Sequence, residues 1–116
     1  VESNWELEYI YKDGTQMAPP EEHNATIAFL ADSQMAGDSG CNRFFGSFTA
    51  SDEKLEFKNV GSTRMMCPQV QFENAFLSTL ENTASYNVSK DQLVLKDSQR
   101  NSLSLCSYSL SLCLMR

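Results

Sequence analysis

The spacing of apolar residues changes period once along this chain. Between residues 69 and 84 there is neither glycine nor proline, and Phe72, Phe76, Leu80 and Ala84 recur every four residues. Val70, Ala75 and Leu77 widen the stripe. That spacing predicts an amphipathic helix of about four turns, and Pro68 suits its first turn, where a missing N–H costs nothing. Everywhere else the period is two, so one helix must find its place among strands.

Trp5, Leu7, Tyr9 and Tyr11 alternate with Glu6 and Glu8, the pattern of a half-buried strand ending at an Asp13-Gly14 turn signal. Residues 16–24 read as a loop, because Pro19 and Pro20 have no N–H to give a ladder. Ile27 and Phe29 mark a second strand, and residues 34–36 fit a short third one. Phe44, Gly46 and Phe48 then oppose Phe45, Ser47 and Thr49, and Leu55 and Phe57 oppose Glu56 and Lys58. Beyond the helix, residues 85–89, 92–96 and those from Ser102 onward read as strands. In the last of these the apolar register moves from Leu103 and Leu105 to Cys106, Tyr108, Leu110, Leu112 and Leu114. A one-residue slip flips side chains to the other face. The switch therefore predicts either a bulge near Leu105–Cys106 or an atypical strand or tail over 107–116. Short strands, tight turns and one late helix predict a single domain over residues 1–116. Its class is mainly β: a small antiparallel barrel or strongly curved sheet packed against a helix at 69–84.

Charge narrows the range of partners. The chain has 9 Lys and Arg against 15 Asp and Glu, a formal net charge of −6. The bases are scattered, so nucleic acid is not an expected partner, and an anionic membrane surface is disfavoured on the same grounds. No apolar segment approaches the roughly 20 residues of a spanning helix. The chain opens on Val1 rather than Met, which suggests an upstream segment, with a secretory signal or a lipid-attachment site as candidates. Four cysteines without a Cys-x-x-Cys spacing, and a lone His23 in a Pro/Glu loop, predict no metal site. They fit an oxidising compartment with one or two disulfides.

Two clusters concentrate chemistry: Gly40-Cys41-Asn42-Arg43-Phe44-Phe45-Gly46 and Ser62-Thr63-Arg64-Met65-Met66-Cys67-Pro68. With Glu73, Phe76, Leu77 and Leu80, the run Leu93-Val94-Leu95-Lys96-Asp97, and the opening Trp5-Glu6-Leu7, they closely resemble the META domain family, which includes heat-inducible HslJ-type proteins of the bacterial envelope. The resemblance covers residues 4–106, and the segment 107–116 departs from it. It implies a lipocalin-like β-barrel with one helix. It also implies a secreted or lipid-anchored protein of the periplasm or outer membrane, linked to heat shock and antibiotic resistance. It brings no enzymatic activity and no cofactor.

Each candidate site has a structural alternative. Cys41 and Cys67 could bridge, worth about 3 kcal/mol in the chain-entropy model, or pack as two buried thiols. Gly40 and Gly46 suit a positive-φ turn or a close backbone approach. A phosphate cradle is disfavoured, since no helix begins behind that loop. Asn42 is expected to satisfy loop backbone groups. Arg43 and Arg64 could converge on an anion or partner carboxylate, but ion pairing is favoured where acids outnumber bases. Phe44, Phe45, Phe48 and Phe57, with Met65 and Met66, could line a cavity for an apolar ligand, although a packed interior is the commoner use of such residues.

No catalytic constellation appears, so the leading expectation is a non-enzymatic envelope protein acting in stress tolerance through binding or structural support. Its partner would be an envelope protein or a small apolar ligand. A carrier that uses the barrel interior is the first alternative, and a thiol-dependent enzyme the second.

Overall fold

A computed structural model describes residues 3–18, 25–39, 42–63, 70–89 and 92–107. Strand β1 (Ser3–Lys12) turns at Asp13-Gly14, where both residues adopt positive φ, into the short β2 (Thr15–Met17). Residues 16 and 17 therefore leave the expected loop and join a hairpin, with Tyr11 opposite Gln16 and Ile10 opposite Met17. Next come β3 (Thr26–Phe29), a single 3-10 turn at Ala31–Ser33, β4 (Gln34–Asp38), β5 (Arg43–Ser51) and β6 (Lys54–Ser62). Helix α1 (Val70–Glu81) is followed by β7 (Thr83–Ser89), β8 (Gln92–Asp97) and β9 (Ser102–Ser107).

All the pairings are antiparallel. From β1 the sheet runs through β3, β4, β5, β6, β7, β8 and β9 and returns to β1, closing a barrel of eight strands among the described residues. β2 lies outside this circuit and continues the β1 edge beyond β3. Closure leaves few free edges to template association. One seam is thin: β6 and β7 share the pair Lys54–Ser85, and Tyr86 N–H donates to the Glu53 carbonyl at 2.9 Å.

The helix forms where its spacing predicts but stops at Glu81, short of Ala84. Asn82 Nδ2 donates to the Ser78 carbonyl at 2.8 Å, and Thr83 Oγ1 donates to the Thr79 carbonyl at 3.0 Å. These side chains cap carbonyls of the last turn, and the Ser78 carbonyl also accepts the Asn82 backbone N–H at 3.2 Å. Thr83 then opens β7 opposite Asp97. The apolar face of α1 carries Phe72, Phe76 and Leu80 against the barrel interior, packing beside β1, β6, β8 and β9. Phe76 meets Phe44 with ring centroids 5.6 Å apart, and Lys12 Nζ donates to Ser78 Oγ at 3.2 Å. The helix thus closes one end of the barrel, where Ile10, Phe44, Leu80, Leu95 and Leu103 are fully buried.

The alternation of β1 does not run unbroken. Leu7 pairs with Leu105 but Tyr9 pairs with Ser104, so one extra residue sits in β1 at Glu8. Leu7 and Ile10 consequently point inward, and Tyr11 is exposed. The bulge expected near Leu105–Cys106 lies on the partner strand instead. Leu103 and Leu105 keep one inward register, and residues 108–116 lie outside the described set. A second bulge, at Asn59 with φ of 57°, shifts β6 against β5. Asn tolerates this left-handed conformation better than most residues.

Candidate functional site

The closed end holds Asn42 of the first sequence cluster and Thr63 of the second in one hydrogen-bonded lock. Glu73, in the first turn of α1, is only 8% exposed. Its Oε2 accepts Ser39 Oγ at 2.8 Å and the Asn42 backbone N–H at 3.1 Å, while Oε1 accepts Asn42 Nδ2 at 2.7 Å. Asn42 Oδ1 in turn accepts Thr63 Oγ1 at 2.8 Å, and Thr63 Oγ1 accepts the Arg43 N–H at 3.0 Å. The Ser39 N–H donates to the Asn42 carbonyl at 2.8 Å, which tightens the loop before β5. A buried carboxylate is tolerable only with such donors around it, and the helix N-terminus adds favourable dipole. The network ties α1 to the β4–β5 loop and to the end of β6.

Other candidates fall as follows. Gly46 has no positive φ. A Cβ there would lie 3.0 Å from the Lys58 carbonyl and 3.1 Å from Met35 Cε, so close approach explains it. Ser62 is half-buried and pairs with Phe44. Arg43 is exposed and its side chain makes no ion pair among the described residues. Gly40, Cys41, Arg64, Met65, Met66 and Cys67 lie outside the described residues, and with them the Cys41–Cys67 pairing and the Arg43–Arg64 convergence. Cys106, fully buried on the outward face of β9, is in a disulfide whose other half also lies outside them. Among the described residues, no group of His, Cys, Asp and Glu could hold a metal ion, and no helix is long and apolar enough to cross a membrane.

The opposite end is open. There a cleft of about 410 Å³ is lined by Trp5, Phe29, Phe48, Leu55, Tyr86, Val88 and Leu93. These residues come from six strands, β1, β3, β5, β6, β7 and β8, each contributing inward-facing positions at the end away from α1. Phe29 meets Phe48 edge-on at 5.1 Å and stacks over the buried Phe57 at 6.1 Å. Val88 is 53% exposed and Leu30, after β3, is 42% exposed. A second cleft of about 410 Å³, at the β6–β7 seam, is lined by polar residues such as Thr49, Lys54 and Glu56 together with Ala50, Leu55 and Ala84.

Of the phenylalanines expected to line a cavity, only Phe48 does so. Phe44 and Phe57 are buried core, and Phe45 points outward at 57% exposure, its ring shielding Gly61 on β6. Trp5, Phe29, Tyr86, Val88 and Leu93 escaped the sequence reading as site residues. They share no motif. Their common signal is an inward apolar position near a strand end distant from the helix.

A closed antiparallel barrel of eight strands, plugged at one end by a helix that a buried glutamate pins to Ser39 and Asn42, is a fold class with its own sequence signature. The META domain model matches residues 1–108, and the chain belongs to the META domain family. It is similar to a protein from Burkholderia xenovorans solved by NMR, with 29% identity and a TM-score of 0.81 over 92% of this chain and 82% of that one. It shares its fold with a DUF4847 family protein from Bacteroides vulgatus, at 16% identity and a TM-score of 0.64 over 90% of this chain and 91% of the other. No curated protein matches the chain.

Proposed function

We propose that this META domain is a non-enzymatic binding module of the bacterial envelope that takes a small apolar ligand into the open mouth of its barrel, in support of stress tolerance. The observation that carries the reading is the cleft lined by Trp5, Phe48, Tyr86 and Val88. Its volume falls within the range of about 300–1,000 Å³ common to small-molecule sites. Aromatic and aliphatic walls favour burial of apolar surface at about 25 cal/mol per Å².

The polar end supports a non-catalytic role. Both oxygens of Glu73 are already engaged by Ser39 and Asn42, so this carboxylate is poorly placed to accept a substrate proton. The disulfide at Cys106 supports an oxidising compartment, as the envelope is. The chain's single tryptophan, Trp5, lines the cleft and reports on it. Titration with dodecanol should shift Trp5 emission saturably. Val88→Asp, at an exposed rim position, should weaken the response without loss of folding. A wild-type protein whose Trp5 emission ignores dodecanol would remove the proposal.

A further inference from the structure

We infer that the ligand is a cationic amphiphile: an apolar tail seated in the cleft, with an ammonium head held among the aromatic faces and acidic turns of the rim. This rests on the apolar-binding reading above and adds a head-group charge to it.

Three observations converge. Four of the lining side chains are aromatic, Trp5, Phe29, Phe48 and Tyr86. The face of an aromatic ring carries negative quadrupole potential, and Trp is the strongest partner for a cation within about 6 Å. No lining residue is basic, so a carboxylate or phosphate head would find no guanidinium or ammonium to receive it.

The described turns at this end are acidic. The turn after β3 holds Asp32, and the β5–β6 turn holds Asp52 and Glu53, with Lys54 as the opposing charge. Asp32 and Asp52 adopt φ of 60° and 54°, and the two turns follow directly on β3 and β5, the strands that supply Phe29 and Phe48. The Glu53 carbonyl accepts the N–H of Tyr86, so the second turn abuts a lining residue directly. The whole chain carries a net charge of −6, which steers cations toward it and anions away.

The test compares three probes that share one tail, dodecyltrimethylammonium, dodecanol and dodecanoate. The two ionic probes are titrated below their micelle concentrations and dodecanol below its solubility limit, against the full chain, with Trp5 emission as the readout. The cation should bind about tenfold more tightly than dodecanol, from ring contacts and rim charge together, and dodecanoate should bind most weakly. At about 1 M salt, where the Debye length falls to about 3 Å, the rim's share of that preference should vanish. The variant Asp32→Asn/Asp52→Asn/Glu53→Gln should narrow the gap between cation and dodecanol while leaving dodecanol affinity unchanged. Asn suits both positive-φ positions, and circular dichroism confirms folding. Dodecanoate binding as tightly as the cation at low salt would overturn the head-group inference and leave the apolar site standing. Failure of all three probes would overturn the site itself.

Discussion

Glu73 Oε1 accepts a hydrogen bond from Asn42 Nδ2 at 2.7 Å across 31 residues of sequence, and its Oε2 accepts the backbone N–H of the same asparagine at 3.1 Å. One carboxylate on the helix therefore reads both the side chain and the main chain of the loop that leads into β5. Glu73→Ala removes the buried acceptor shared by Ser39 Oγ, the Asn42 N–H and Asn42 Nδ2, which costs about 3 kcal/mol. Glu73→Gln also destabilises, because its amide turns a donor toward donors already there. Urea unfolding midpoints with unchanged slopes check both.

Thr79 shows the opposite case. Its hydroxyl is buried with no hydrogen-bond partner among the described residues. Thr79→Val keeps the shape and removes the unmet polar group, so it should stabilise the domain by about 1 kcal/mol. Thermal unfolding checks the direction.

Gly37 pairs with Phe44, whose ring lies over it. A Cβ there would collide with the Thr26 carbonyl and meet Phe44 Cζ at 2.5 Å. Backbone cannot step aside cheaply in a closed sheet. Gly37→Ala should cost at least about 3 kcal/mol, the upper part of the overpacking range. Gly14→Ala meets no neighbour but must hold φ of 79°, so its smaller loss should come from strain alone.

Asp97 supplies the pH dependence. Burial alone pushes its pKa up and is the largest single influence, but hydrogen bonds from the Asn101 side chain, the Asn101 and Gln99 N–H groups, and the charge of Lys12 together outweigh it. The folded pKa lies below the ordinary 3.8. A depressed carboxylate pKa contributes stability that is present above the unfolded value and lost as pH falls through the folded one. The stability gap between wild type and Asp97→Asn should thus be full at neutral pH and shrink below 3.8. Chemical denaturation at a series of pH values measures it.

The sequence reading and the structure meet where chemistry is local. Residues 70–81 declare their helix by period, and Phe44, Phe48, Leu55 and Phe57 by alternation. The end of the helix was less legible, because Asn82 and Thr83 stop it through side-chain caps that period alone does not register. The bulge at Glu8 was hidden for a related reason: Trp5, Leu7, Tyr9 and Tyr11 alternate perfectly, and only the pairing with β9 turns Ile10 inward. Glu73 carried a signal, an acid set in the apolar stripe beside Phe72 and Phe76. The mouth carried no local motif, only inward apolar positions near strand ends, since its walls gather one or two residues from each of six strands.

The central claim is that the open mouth, and not the motif-bearing end, is the binding site. Proton–nitrogen NMR on the labelled protein during titration with dodecanol tests it most directly. The account predicts saturable shifts of the Trp5 indole N–H and of the amides of Phe48, Tyr86, Val88 and Leu93, with Glu73, Phe76 and Asn42 unmoved. Shifts centred on Glu73 and Asn42, or none at all, would contradict it.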